Sequence, residues 1–86
     1  MRTLSEVRAA VSEAIERRSE EIIAMGDYVW KNPEPGYKEF KTAKYANEKL
    51  RALGLPLREN LAITGMRADL DSGRPGPTVA LLGEMD

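Results

Sequence analysis

Two carboxylates near the end of the chain are the residues whose type and spacing are best suited to chemistry. Glu84 and Asp86 follow the apolar run Val79–Leu82 and are separated from each other by one residue. Side chains at positions i and i+2 of a β-strand point to the same side. Two carboxylates in that arrangement can ligate a divalent cation, or can orient a metal-bound histidine through a hydrogen bond. The residue pattern alone favours the simpler interpretation, a strand that ends in solvent with two acids for solubility.

The sequence offers no further group that would complete a catalytic site. Its 86 residues contain no His and no Cys, so the commonest metal ligands, bases and nucleophiles are missing. We therefore predict no catalytic residue and no metal ligand in this chain, and at most an indirect role for Glu84 and Asp86. We interpret the chain as the opening part of a larger enzyme.

Composition and charge argue against several classes of partner. Thirteen basic and 14 acidic residues give a net charge of −1, which provides no electrostatic attraction for nucleic acid or an anionic membrane. The longest apolar run is too short to cross a bilayer, and the first residues lack a signal-peptide pattern. The absence of Cys suits a reducing compartment. We expect a cytoplasmic protein with no nucleic-acid partner and no membrane partner.

Two predicted helices come before the carboxylates. Thr3 and Glu6 have the spacing of a capping box, and an apolar stripe then predicts one long helix that ends before Pro33. The stripe consists of Leu4, Val7, Val11, Ala14, Ile15, Ile22, Met25 and Val29. A second helix is predicted from about Lys38 to Leu53, because apolar residues share one face there and a glycine follows.

A turn joins these two helices. Pro35 and Gly36 suit the central positions of a type II turn, which needs a positive φ at its second central residue. Together with Glu39 and Thr42, this turn can form the rim of a pocket. The pattern alone favours a plain connection between helices.

Two strands are predicted in the last third of the chain. Met66, Ala68 and Leu70 alternate with polar residues, which is typical of a half-buried strand. After a loop, the segment Thr78–Met85 predicts a second strand that is covered on both faces. The predicted fold class is α/β, with two helices followed by a β-hairpin. Because a hairpin is only marginally stable by itself, we expect it to belong to the central sheet of a larger domain.

Five motifs, taken in order, resemble the N-terminal segment of a known enzyme family. In chain order they are Asn32–Ala43, Leu50–Leu55, Thr64–Met66, Gly76–Leu81 and Gly83–Asp86. The first contains the pattern Pro-Glu-x-Gly-x-x-Glu-x-x-Thr. The set resembles the metal-dependent amidohydrolases and peptidases of clan MH, in the group of aminoacylases, hippurate hydrolases and aminobenzoyl-glutamate hydrolases. The resemblance covers essentially Ile22–Asp86.

The resemblance implies a two-domain enzyme in which residues 1–86 are the N-terminal part of the catalytic α/β domain. The remainder of that domain and an inserted dimerisation domain would lie outside the chain, and the parent would be a homodimer. Two divalent ions, zinc, manganese or cobalt, would activate a water for attack on a small-molecule amide, with a glutamate as general base. The substrates implied are N-acyl amino acids or short peptides. The 86-residue chain alone is expected to be inactive.

The resemblance also carries implications for single residues. In many relatives the position of Glu84 is a histidine ligand and that of Asp86 is the aspartate that orients it. Here the ligands and the base are expected later in the chain, so Asp86 and Glu84 are carried over only as residues that support a ligand. Trp30 and Asn32 stand where many relatives have histidines, which leaves the substrate open.

A second function class stays open. The chain can instead be a complete small α+β interaction module that dimerises through its first helix or through its strand edge. The long apolar stripe of the first helix and the unpaired apolar strand motivate this alternative.

Overall fold

Three helices precede a two-stranded antiparallel sheet in the computed structural model, which describes all residues from Met1 to Asp86. The elements are α1 (Leu4–Arg17), α2 (Ser19–Lys31), α3 (Phe40–Ala52), β1 (Leu57–Leu61) and β2 (Gly65–Ala68). They divide into two compact units, residues 1–31 and 32–86. No helix combines the length and the apolar character that a membrane crossing requires. The predicted class, helices followed by a β-hairpin, is confirmed, but the first helix and the strand pairing differ from the expectation.

The predicted first helix is interrupted at Arg18, which separates α1 from α2. The backbone N–H of Arg18 donates to the carbonyl oxygen of Ile15, three residues back, at 3.1 Å, as in a tightened last turn. The apolar stripe also has a gap here, since Arg18 and Ser19 stand between Ile15 and Ile22 where the helical period requires apolar residues. Serine favours helix starts over interiors because its hydroxyl competes for backbone groups. The expectation of one continuous helix is wrong for this reason.

The start of α1 follows the predicted capping box. Thr3 is the N-cap residue, and its hydroxyl oxygen accepts from the backbone N–H of Glu6 at 3.2 Å. The Glu6 carboxylate accepts from the same hydroxyl at 3.1 Å. The reciprocal half of the box is therefore a side-chain contact and not a bond to the Thr3 backbone.

The apolar stripe of α1 and α2 is largely uncovered. Neither helix has a buried residue. The exposed fractions of the Leu, Val and Ile side chains along the stripe lie between 37% for Val29 and 65% for Leu4. The unit 1–31 thus presents an apolar surface that its own residues do not bury.

The turn before α3 differs by one residue from the predicted turn. The backbone N–H of Lys38 donates to the carbonyl oxygen of Pro35 at 3.0 Å, so Gly36 and Tyr37 are the two central residues. The positive φ of 62° falls on Tyr37 and not on Gly36. The expectation that Pro35 and Gly36 form the centre is therefore wrong.

The hairpin of the structure pairs β1 with β2. Leu57 lies opposite Ala68 and Leu61 lies opposite Gly65, with an irregularity in the register between Arg58 and Leu61. The predicted strand around Met66 is confirmed as β2, but its partner comes before it in the sequence. β1 shows no alternation of apolar and polar residues, because its three central residues are polar and exposed, so the sequence pattern does not predict it.

The segment Thr78–Met85 forms neither helix nor strand, so its prediction as a buried strand is wrong. Its aliphatic side chains are almost fully solvated, with exposed fractions of 83% for Val79, 98% for Leu81 and 99% for Leu82. A strand buried on both faces needs a neighbouring strand and covering helices. The described residues supply no such neighbours to this segment.

The interior of the second unit is small and mostly polar. The helix α3 packs against both strands, and Ala43 is its one buried hydrophobic residue. The other buried side chains are polar or charged: Glu39, Thr42, Asn47 and Thr64. Buried polar groups require partners, so the hydrogen bonds of these residues define the unit more than its apolar contacts do.

Candidate functional site

A cavity of about 410 Å³ brings the two predicted carboxylates to the turn before α3. Its wall contains Glu84 and Asp86, together with Gly36 and Tyr37 of the turn. The hairpin contributes Leu61, Ala62, Thr64 and Gly65, and Glu39 also lines the cavity. Of the residues expected to rim a pocket, Gly36 and Glu39 line this cavity and Thr42 does not. The indirect role predicted for Glu84 and Asp86 stays a prediction.

Gly36 is the point at which two acidic side chains approach the turn. A Cβ atom placed on Gly36 would lie 3.7 Å from Oε1 of Glu39 and 3.9 Å from Oδ2 of Asp86. These are ordinary contact distances, so both side chains lie beside the turn at Gly36. A larger side chain at position 36 would extend into the space between them.

Glu39 is held by a hydrogen bond from the hairpin. The Thr64 hydroxyl donates to Oε2 of Glu39 at 2.5 Å, and both residues are buried, with exposed fractions of 6% each. Bonds from a hydroxyl to a carboxylate are shorter and stronger than neutral ones. This bond therefore fastens the start of α3 to the beginning of β2. The sequence analysis missed it because residues 25 positions apart carry no local signal.

Glu39 is the N-cap residue of α3, but its side chain makes no capping bond. Glu34 performs that task from the loop. Its two carboxylate oxygens accept from the backbone N–H of Lys41 at 3.0 Å and of Thr42 at 2.8 Å. These bonds satisfy donors that every helix start leaves without partners.

The same two bonds affect the titration of Glu34. The backbone N–H of Lys41, followed by that of Thr42, lowers the pKa of the Glu34 carboxyl below its ordinary value of 4.5. A carboxylate that accepts backbone hydrogen bonds is stabilised in its charged form. Glu34 is thus ionised at neutral pH and anchors the turn that carries Gly36.

The acidic residues of the cavity do not form a metal site. No group of three or more His, Cys, Asp or Glu residues in the chain is arranged to hold a metal ion. One oxygen of Glu39 is already bonded to Thr64. The donors present therefore do not fit a divalent ion, and any metal chemistry requires ligands from other residues.

Comparison with characterised proteins gives relatives over most of the chain. The chain is 29% identical over 84 residues to a Bacillus subtilis protein named "Putative amidohydrolase YhaA", a match that covers 98% of this chain and 21% of that protein. It is 38% identical over 66 residues to thermostable carboxypeptidase 2 of Saccharolobus solfataricus, covering 76% of this chain and 17% of the other.

A third relative is a plant protein. The chain is 40% identical over 58 residues to the IAA-amino acid hydrolase ILR1-like 2 of Arabidopsis thaliana, which covers 67% of this chain and 13% of that protein. This chain is a homologue of amidohydrolases and peptidases. The family resemblance expected from the five motifs is confirmed.

The matches are limited in two respects. The chain spans between 13% and 21% of the length of these three relatives. No family model matches the chain, and no solved structure matches it significantly. The relatives are hydrolases by name, and the chain corresponds to a small part of each.

Proposed function

We propose that this chain is the N-terminal part of the catalytic domain of a metal-dependent amidohydrolase. The observation that carries the proposal is its similarity to three hydrolases over 67% to 98% of its own length. The proposed substrates are N-acyl amino acids or short peptides. In support, one relative is named as a carboxypeptidase and another as an IAA-amino acid hydrolase, and both names describe hydrolysis that involves an amino acid.

The chain supplies a scaffold in this proposal and not the reacting groups. Two divalent ions, zinc, manganese or cobalt, would be held by residues outside it and would activate the attacking water. Glu84 and Asp86 would stand beside those ligands. Asp86, next to Gly36 and Glu39 in the cavity, is the better placed of the two to hydrogen-bond a ligand that another part of the protein provides.

The test compares the 86-residue chain with the longest protein that its gene encodes. Both are assayed for hydrolysis of N-acetylated amino acids with added Mn²⁺, Zn²⁺ or Co²⁺, and after treatment with a chelator. We expect turnover by the longer protein that the chelator abolishes, and none by the short chain. Metal-dependent turnover by the 86-residue chain alone would overturn the division between scaffold and reacting groups.

The uncovered stripe of α1 and α2 favours a second candidate, a small interaction module that forms a dimer. Apolar patches of this kind mark protein contacts. Sedimentation of the chain distinguishes the candidates, since a discrete dimer with a cooperative thermal transition supports the module. A dimer that Val11→Glu converts to a monomer, with Glu13→Lys as the control on the charged face, would locate the contact on the stripe.

A further inference from the structure

The two helices of the unit 1–31 cannot cover each other's apolar side chains. Only Arg18 separates α1 from α2. The backbone N–H of Ile22 donates to the carbonyl oxygen of Arg18 at 2.9 Å, which is the helical pattern of a bond to the fourth residue back. A helical hairpin needs a connection of about two to five residues before its second helix can turn back. The apolar stripe of this unit can therefore be covered only by residues outside it.

The lengths of the two helices fit an antiparallel arrangement of two copies of the chain. α1 has 14 residues and α2 has 13, and both carry exposed aliphatic side chains of the stripe, such as Val11 on α1 and Ile22 on α2. If the interruptions of two antiparallel copies lie opposite each other, α1 of each copy covers α2 of the other over most of its length. The polar gap at Arg18 and Ser19 then faces the same gap in the second copy and not an apolar residue. A polar residue within an apolar seam fixes the register of paired helices in this way.

The charges of the unit favour the antiparallel orientation over the parallel one. Residues 1–18 contain four arginines and three glutamates, so this half has a net positive charge. Residues 19–31 contain three acidic residues and one lysine, so this half has a net negative charge. An antiparallel dimer places the positive half of each copy beside the negative half of the other, whereas a parallel dimer places like net charges together. Complementary charges of this kind determine how two surfaces are oriented.

The residues beside the interruption have the same complementarity. Arg17 ends α1, and Glu21 lies in the first turn of α2. With a two-fold axis at Ser19, Arg17 of each copy lies opposite Glu21 of the other, which gives two equivalent contacts. The Arg17 side chain is 69% exposed and makes an ion pair with Glu13 at 3.6 Å. Exposed pairs of this kind contribute little stability, so Arg17 can exchange Glu13 for Glu21 of the second copy.

We propose that the unit 1–31 is a self-association surface on which a second copy of the chain binds antiparallel, with the two-fold axis at Ser19. The same residues of both copies form the contact, as in the isologous interfaces of symmetric dimers. This inference rests on the second candidate function, the dimeric interaction module, and it names the orientation, the register and the charged contacts of that dimer. It does not depend on the proposed hydrolysis.

A spin label at one end of the unit tests the orientation. The 86-residue chain contains no Cys, so a nitroxide on Ser5→Cys, an exposed position in the first turn of α1, is unique. The labelled variant is mixed with isotope-labelled unmodified chain, so that NMR line broadening arises only between copies. α1 and α2 together span about 40 Å, which separates the two ends clearly. We expect broadening of the amide signals near Lys31 and not of those near Leu4, and the reverse pattern would overturn the proposal.

Charge-reversal variants test the contact between Arg17 and Glu21. Arg17→Glu and Glu21→Arg should each raise the dissociation constant of the homodimer about tenfold, because both equivalent contacts become repulsive. A mixture of the two variants should form a heterodimer in preference to either homodimer, because opposite charges again face each other. Sedimentation equilibrium measures these constants. Arg74→Glu is the matched control, since it makes the same change of charge at an exposed position outside both helices.

Three further results would overturn the proposal. One is a chain that sediments as a monomer at every concentration up to about 1 mM, which would remove the dimeric module as well. Another is a dimer in which the label at position 5 broadens no signal of residues 1–31, which would leave a dimeric module with a different contact. The third is an equal effect of Arg17→Glu and Arg74→Glu on the dissociation constant. The proposed hydrolysis is assayed separately, and none of these results affects it.

Discussion

Replacing Thr64 with valine should destabilise the second unit, because it removes the donor of the bond to Glu39. Valine has nearly the shape of threonine, so the change deletes the hydroxyl with little effect on packing. The Glu39 carboxylate, 6% exposed, then loses its one hydrogen-bond donor from the hairpin. Hydrogen bonds to charged groups contribute about 1.5–3 kcal/mol, and we expect the free energy of unfolding of this unit to fall by that amount.

Urea denaturation, followed through the NMR amide signals of α3 and β2, measures the change. With a urea dependence of about 1 kcal/mol per molar for a small unit, the midpoint should fall by about 1.5 M or more. Thr78→Val is the matched control, since Thr78 is exposed and lies outside every helix and strand. Equal midpoints for the two variants would refute the argument that the Thr64–Glu39 bond fastens α3 to the hairpin.

Three further predictions concern Ile63 in the loop of the hairpin, Gly65 at the start of β2, and Glu34, which caps α3. Ile63 is the central residue of a tight turn and has a φ of 80°. Because glycine tolerates a positive φ, Ile63→Gly should raise the free energy of unfolding by about 0.5–1 kcal/mol. Ile63→Ala, which keeps the Cβ, should show no such gain in thermal denaturation. Gly65→Ala should weaken the hairpin, because its Cβ would lie 2.7 Å from the backbone oxygen of Leu61, and loss of the β2 amide protection in hydrogen exchange would report it. The lowered pKa of Glu34 predicts stability that is present above pH 4.5 and is lost as the pH falls through the folded-state pKa. The acid dependence of the urea midpoint should be smaller in Glu34→Gln, and an unchanged dependence would contradict the cap.

The parts of the fold that the sequence predicted are those with local signals. Thr3 and Glu6 predict the start of α1. The apolar face of α3 predicts the ends of that helix to within about two residues. The alternation around Met66 identifies β2. Each of these signals lies within a few residues of the structure that it specifies.

The errors arose where the structure depends on distant or competing groups. The apolar stripe predicted one continuous helix, but the helix is interrupted at Arg18, because no apolar residue stands between Ile15 and Ile22 on the stripe. The apolar run after Thr78 was predicted as a strand, yet a strand of that kind forms only when neighbours cover it. For the candidate site, the sequence identified Glu84, Asp86 and the turn, but it gave no indication that Thr64 would hold Glu39.

The two hydrogen bonds that Glu34 accepts from the first turn of α3 connect the preceding loop to the helix. With its two ends held, the intervening segment cannot shift without unwinding that turn, and Gly36 lies within it. Fraying of α3 at its beginning would therefore also release the segment that carries Gly36, beside which Glu39 and Asp86 lie. The wall of the cavity at Gly36 thus depends on the integrity of a helix start.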